Sequence, residues 1–353
     1  MVDKKSKQTR SKRSTGNNTT LQDVAKHADV STATVSRYLA NPEAVKSERR
    51  SRIELAIKQL DYIPHGAAQA LASQRTRTIG AIVPTLHNAI FAQGLEYFER
   101  RLQTEGYSLL VGISNYSPDE ELTQAEKMMN RGIDGLLLVG LTHKEYLHKR
   151  IQANNIPYVS TWSYRDDYPY PCIGFKNDEA AIHLTQYLLD IGHKKFGIIS
   201  GNTKDNDRAT DRLKGFLKTL KENKIDIPAG NVIESAYNIH ESRIAAKKLL
   251  SATDTPTAII CGNDVIAYGV IYECQNQGVK VPEDISIIGF DDLEASSQIL
   301  PPLTTMQVPF MDMGEKAADY ILSCINKETV HEKTELNVNL IVRNTTAPPK
   351  NNG

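Results

Sequence analysis

The stretch Ser31-Thr32-Ala33-Thr34-Val35-Ser36-Arg37 brings hydroxyls, a methyl and a guanidinium together within one short segment. On the exposed face of a helix these are groups that read DNA. Arg37 can make the bidentate contact to guanine, Ala33 and the methyl of Thr32 can meet a thymine methyl, and Ser31, Thr34 and Ser36 can hold phosphate. Short helix pairs also occur in folds that never touch nucleic acid, so the exposed face decides between the two readings. Catalytic patterns are missing. No strand is followed by a glycine-rich phosphate fingerprint, there is no P-loop, no G-x-S-x-G elbow and no H-E-x-x-H, and His240-Glu241 lacks a second histidine four residues on. His87, His143 and His183 read as surface or loop residues, and the chain as a non-enzyme. Cys172, Cys261, Cys274 and Cys324 form no close pair and no cluster at zinc spacing. That predicts reduced, mostly buried thiols, no metal and no cofactor.

The DNA-reading run needs a scaffold, and the flanking sequence supplies one. Thr20-Leu21-Gln22-Asp23 is a capping box that opens a helix, in which Leu21, Val24, Ala25 and Ala28 form one apolar face. Asp29-Val30 breaks the pattern, Ser31 offers a second N-cap, and Val35 and Leu39 give the next helix a buried side. A third helix from Ser47 turns Ile53, Ile57 and Leu60 inward and Arg49, Arg50 and Arg52 outward. This is a helix-turn-helix arrangement.

Charge separates this segment from the rest. The 353-residue chain balances 42 Lys and Arg against 42 Asp and Glu, yet residues 1–75 hold 14 of the basic and 7 of the acidic residues. A polyanion is drawn to the first segment and repelled by the remainder. Residues 1–19, polar and basic, read as a disordered arm, either tracking DNA or merely solubilising. No apolar stretch reaches membrane-spanning length and no apolar core follows the basic start, which predicts a cytoplasmic protein without membrane contact.

From Thr78 the pattern changes to short apolar runs (Ile79–Val83, Tyr107–Gly112, Gly135–Val139, Pro157–Ser160, Phe196–Ser200, Thr257–Cys261, Ile285–Phe290). They alternate with amphipathic stretches at 89–104, 119–131, 178–191, 211–222, 241–252, 264–277 and 312–326. Such alternation predicts an α/β body of parallel sheets covered by helices. Its length favours two doubly wound subdomains with a cleft between them.

Leu21-Gln22-Asp23-Val24-Ala25, Val30 to Arg37, and Leu60-Asp61-Tyr62-Ile63-Pro64 resemble the headpiece of the lactose-repressor/galactose-repressor family of bacterial transcription regulators. Cys261-Gly262-Asn263-Asp264, Val281 to Asp292 and Pro301-Pro302-Leu303-Thr304-Thr305 resemble that family's core signatures. The resemblance spans Thr20 to about Ala347, and Leu39-Ala40-Asn41-Pro42-Glu43 is similar to the gluconate repressor. It implies a headpiece over 20–63, a hinge helix and linker over 64–77, a core over 78–347 and a tail over 348–353. The core sheets resemble periplasmic sugar-binding proteins, with chain crossings near 174–177, 302–305 and 326. Thr20, Leu21 and Asn41 join the DNA face, and Leu71 matches the leucine that wedges into the minor groove, unless it only packs the hinge helix. His65, Gly66 and Gln69 depart from the usual hinge, and Gly66 weakens a helix by ~1 kcal/mol relative to alanine.

The resemblance further implies a small-molecule effector held by Ile90, Phe91, Trp162, Asn206, Arg208, Arg212, Tyr237, Asn263 and Asp291, with Asn206, Arg208 and Arg212 in a loop. Trp162 is either a cleft wall or core. Lys176 stands where the family usually has aspartate. Facing the cleft beside Arg208 and Arg212, it would favour an aldonate or a sugar phosphate over a neutral sugar, and the alternative is a local pair with a residue such as Asp178. A homodimer on a near-palindromic operator follows from the same resemblance, joined along the helix from Ala89 to Leu102 and without a tetramer bundle after Arg343. The rival reading is a soluble sugar-binding protein without regulatory DNA binding.

Overall fold

The computed structural model describes residues 19–63 and 75–350, and the chain divides between Thr76 and Arg77 into two compact bodies. Residues 1–18 of the basic arm, the hinge segment 64–74 with Leu71, and residues 351–353 lie outside the described residues.

In the first body, Thr20 caps helix α1 (Leu21–His27) through a full capping box with Asp23. Ser31 caps α2 (Thr32–Ala40), accepting from the Thr34 N–H at 3.2 Å. Helix α3 (Ser47–Gln59) braces both. Val24, Ala25, Ala28, Val35, Val45, Ile53, Ala56 and Tyr62 are buried together. Those are the apolar positions that helical spacing selects, so the hydroxyl-bearing side of α2 is left outside.

The second body contains two six-stranded sheets. The first is ordered β11-β5-β4-β3-β1-β2, built from β1 (Thr78–Val83), β2 (Ser108–Ile113), β3 (Gly135–Val139), β4 (Tyr158–Thr161), β5 (Cys172–Gly174) and β11 (Lys333–Glu335). The second is ordered β12-β10-β9-β8-β6-β7, from β6 (Phe196–Gly201), β7 (Val232–Ser235), β8 (Ala258–Cys261), β9 (Ser286–Asp291), β10 (Thr304–Gln307) and β12 (Asn339–Ile341). All pairings are parallel except β10 with β12. Central strands such as Gly135–Val139 and Ser286–Asp291 are buried throughout, as strands covered on both faces must be, whereas the edge strand β2 is largely uncovered.

Eight helices of the second body cover these sheets among the described residues. Helix α4 (Ala89–Thr104) packs on α11 (Phe310–Ile325), and α7 (Asn177–Asp190) packs on α8 (Asp207–Glu222). The others are α5 (Pro118–Asn130), α6 (Glu145–Ala153), α9 (Ile239–Leu250) and α10 (Asp264–Gln277). Strands β5, β7, β10, β11 and β12 and helix α6 are absent from the sequence pattern, because pieces this short carry too few residues to establish a period.

The chain passes between the two sheets after Gly174 and twice more. Thr304–Gln307 is itself a strand of the second sheet, so the second passage falls at 308–309. Asn326 only caps α11; the chain first adds β11 beside β5, then crosses at 336–338 to reach β12. Among the described residues, no helix is long and apolar enough to cross a membrane.

Candidate functional site

On the headpiece, Ser31, Thr32, Ala33 and Arg37 are exposed, and Thr34 and Ser36 are half-buried. Arg37 has no ion-pair partner among the described residues, whereas Arg50 is engaged by Glu43 and Arg52 by Asp29 at 3.5 Å. Its guanidinium is therefore free to reach outward while two of its neighbours stabilise the fold. Ser31 and Thr34 hydroxyls bond each other at 2.8 Å, and Asn41 caps the turn Pro42–Ala44 through the Glu43 N–H. Leu21 packs its side chain against the headpiece core. Thr20 is exposed and bonds Asp23 at 2.6 Å.

In the second body, nearly every expected effector residue falls just beyond the C-terminal end of a strand. Ile90 and Phe91 follow β1, Trp162 follows β4, Asn206, Arg208 and Arg212 follow β6, Tyr237 follows β7, Asn263 follows β8, and Asp291 ends β9. Side chains there converge because parallel strands in both sheets point their carboxyl ends at the space between them. They line one narrow cavity. The sequence reading missed Asn88, Tyr116, Phe175, Asn177 and Val308, which line it as well. Each of these also follows a strand end, which is the signal that could have found them.

Asn206 is the N-cap of α8, accepting from the Ala209 N–H at 3.4 Å, so Arg208 and Arg212 stand on the helix and not in a loop. The helix begins four residues earlier than its apolar pattern because the cap is polar and its first turn carries Asp207 and Arg208. Arg212 donates to the Gly262 carbonyl at 2.8 Å, lies over the Phe290 ring at 4.3 Å, and comes within 3.8 Å of Asp291. Burial pushes the Asp291 carboxyl up to about 8 despite the opposing pull of Arg212. Asp291 also has φ 126° and Trp162 φ 64°, backbone regions that side-chain-bearing residues rarely adopt.

Aromatic walls frame the cavity. Phe91 and Trp162 meet edge to face at 5.4 Å, which puts Trp162 in the wall. Asn88 Oδ1, the Tyr116 hydroxyl, Trp162 Nε1 and Asn177 Oδ1 are buried without hydrogen-bond partners. Leaving such groups unpaired costs about 1–3 kcal/mol each, a cost that a polar ligand would remove.

Lys176 does not join them. Its ammonium lies 3.3, 3.4 and 3.5 Å from Asp166, Glu179 and Glu335 and over the Tyr164 ring. Three carboxylates hold it away from the cavity, so it pairs locally, although not with Asp178. Arg208 is likewise engaged, by Asp207 at 2.8 Å.

Asp207 joins the two subdomains. Its Oδ2 accepts from the Leu141 N–H at 3.0 Å and from Ser163 Oγ at 2.7 Å, both on first-subdomain loops. Burial opposes its ionisation, but Arg208, Ser163 and Leu141 together hold the carboxyl below its ordinary value. His143, read as a surface or loop residue, lies in the loop after β3 with its side chain buried. It bonds Glu121 at 2.8 Å and the Gly140 carbonyl at 2.8 Å. Burial disfavours its charged form, yet Glu121 and the Gly140 carbonyl raise its pKa overall.

Comparison with known proteins finds the same two parts in the same order. Residues 20–65 match the model of bacterial regulatory proteins of the lacI family, and residues 185–346 match the periplasmic binding protein-like domain. The chain is 31% identical to catabolite control protein A of Priestia megaterium over 89% of this chain and 94% of that one. It is 31% identical to the HTH-type transcriptional repressor CytR of Escherichia coli strain K12 over 93% and 96% of the two chains. The crystal structure of the Lac repressor dimer bound to operator and the anti-inducer ONPF aligns with a TM-score of 0.83 at 27% identity, covering 94% of this chain and 100% of that one. With a capped helix-turn-helix whose reading face is open, a two-sheet core closed around a polar cavity, and relatives that match both along nearly their whole length, the chain belongs to the lacI family of bacterial regulatory proteins.

Proposed function

We propose that this regulator represses transcription as a homodimer on a two-fold operator, and that a small neutral polyhydroxyl effector in the core cavity sets its operator affinity. The observation that carries the effector half is the convergence of unpartnered buried acceptors and donors, Asn88 Oδ1, Asn177 Oδ1 and Trp162 Nε1, with aromatic walls on one cavity. A sugar hydroxyl donates and accepts at once, which suits Asp291 beside Arg212: the carboxylate accepts its hydrogen bond while the guanidinium donates to its oxygen. An acidic effector loses its main support once Lys176 is held by three carboxylates and Arg208 by Asp207.

The transmission we propose runs through closure. A ligand bridging both sheets favours the state in which Asp207 reaches Leu141 and Ser163, and closure alters the separation of the hinge segments over 64–77 in the dimer. Coupling of about 1–3 kcal/mol suffices for regulation. The test selects operator sequences from random DNA with the full-length protein, then titrates sugars, sugar acids and sugar phosphates against the selected duplex by fluorescence anisotropy. A two-fold symmetric site whose affinity shifts with a neutral sugar is expected. A shift with acidic ligands alone refutes the effector class, and selection of no sequence refutes the DNA reading.

A further inference from the structure

A second space adjoins the inner cavity, and nothing above uses it. A groove of about 910 Å³ opens outside the cavity and shares Asn88, Tyr116, Asn206 and Tyr237 with it as common wall. Tyr116 follows β2 and Tyr237 follows β7, so each subdomain contributes one ring to the partition. The ring centroids are 6.1 Å apart and the planes 31° from parallel. A ring held between two aromatic faces needs about 3.5–4.0 Å on each side, or about 7–8 Å in all. A small parting of the tyrosines therefore turns a partition into a sandwich.

Polar groups at the junction are left waiting for a partner. Asn88 is 6% exposed with its Oδ1 unpartnered, and the Tyr116 hydroxyl beside it is buried and unpartnered too. Farther out, the Asn202 amide and the His87 ring line the groove without side-chain partners among the described residues. Charge in the groove is net negative by one: Lys204 offsets Asp205, Lys144 engages Asp119, and Glu234 accepts from the Thr203 hydroxyl at 2.6 Å without a cation beside it among the described residues. Aromatic faces with amides and one spare carboxylate suit a neutral carbohydrate and repel an anionic one.

We infer that the effector is longer than one sugar ring: a neutral di- or oligosaccharide whose first unit fills the inner cavity and whose second lies between Tyr116 and Tyr237 and along the outer groove. This inference rests on the neutral-polyhydroxyl reading above and adds its length and its second subsite. The inner cavity is narrow, whereas the groove outside it offers about 910 Å³, within the range of ligand pockets and enough for further rings.

The experiment is calorimetric titration of the full-length protein with common hexoses and pentoses and with the disaccharides and trisaccharides they form. At least one disaccharide should bind tenfold or more tightly than either of its constituents. Asn202→Ala and His87→Ala, both outside the inner cavity, should each lower that affinity threefold or more and leave monosaccharide affinity unchanged. A monosaccharide that binds as tightly as every disaccharide containing it overturns the inference, as does a disaccharide preference that neither variant touches. If no sugar of any length binds, the neutral-polyhydroxyl reading itself falls, a result distinct from monosaccharide-only binding.

Discussion

Replacing Asp207 with Asn tests whether a side chain outside the cavity wall governs how the cavity holds its ligand. The carboxylate accepts from Leu141 and Ser163 of the first subdomain and from Arg208 on its own helix. Hydrogen bonds to a charged acceptor contribute about 1.5–3 kcal/mol and neutral ones about 0.5–1.5, so each cross-subdomain bond loses about 1 kcal/mol. Two such bonds give about 2 kcal/mol against closure, which is about 25-fold in the ratio of closed to open forms. The Arg208 and Asp207 side chains are 6% and 4% exposed, so solvent screening offers little relief and the unpaired guanidinium adds about 3–5 kcal/mol of global destabilisation. Spin labels at the exposed Lys127 and Lys218, one on each subdomain, would report the separation by pulsed dipolar spectroscopy. The variant should shift the distance distribution toward the open form and weaken effector binding by up to about 25-fold. The Asp207 carboxyl is held below its ordinary value, so its contribution is complete above about pH 4 and fades as pH falls through the folded value. Variant and parent should therefore converge in acid. A variant with a lower melting temperature but unchanged distances and effector affinity would refute the latch and leave Asp207 a structural residue.

Gly140→Ala should resemble the Asp207 variant in the same distance measurement, since Gly140 has φ +88° and an added Cβ would lie 2.5 Å from Asp207 Oδ1 and nearer still to Arg208; undisturbed closure would show that the loop gives way. Arg37→Ala should relax base preference at one half-site position by about 1–3 kcal/mol. Arg49→Ala, by contrast, should weaken all sequences alike and flatten the salt dependence, and competition binding to single-base variants of the operator separates the two. Lys176→Asp should lower the melting temperature by gathering a fourth carboxylate beside Asp166, Glu179 and Glu335, while effector affinity stays the same in titration. The Asp291 carboxyl, pushed up to about 8, keeps a proton in the folded effector-free protein that the unfolded chain releases near pH 4, so this group makes stability fall as pH rises from about 4 to 8. A ligand hydroxyl donating to Asp291 favours the carboxylate and should release a proton, seen as binding heat that varies with buffer ionisation enthalpy at pH 7; no variation would place the ligand elsewhere.

Local signals made the headpiece legible from sequence. The capping box at Thr20, the N-cap at Ser31 and the spacing of Val24, Ala25, Ala28 and Val35 act over three or four residues, and each is present in the fold. Buried strands such as Ile79–Val83 announced themselves as unbroken apolar runs because both faces are covered. Side-chain type also made α2 the expected DNA-facing helix, because Ser31, Thr32, Ala33 and Arg37 stand exposed along it.

What the sequence could not decide is what faces what across long separations. Lys176 beside Arg208 and Arg212 suggested an acidic effector, yet its carboxylate partners include Glu335, which reaches it only because β11 joins β5 at the sheet edge. Asp207 becomes a latch only when Leu141 and Ser163 arrive from another sheet. Asn88, Tyr116, Phe175, Asn177 and Val308 look ordinary in the chain and become cavity wall because parallel strands bring their carboxyl ends to one place. Caps and amphipathic faces are short-range interactions, set by neighbours in the chain, so the sequence alone determines them. Charge pairing, burial of a lone polar atom and the meeting of two subdomains depend on distances that only the packed sheets fix.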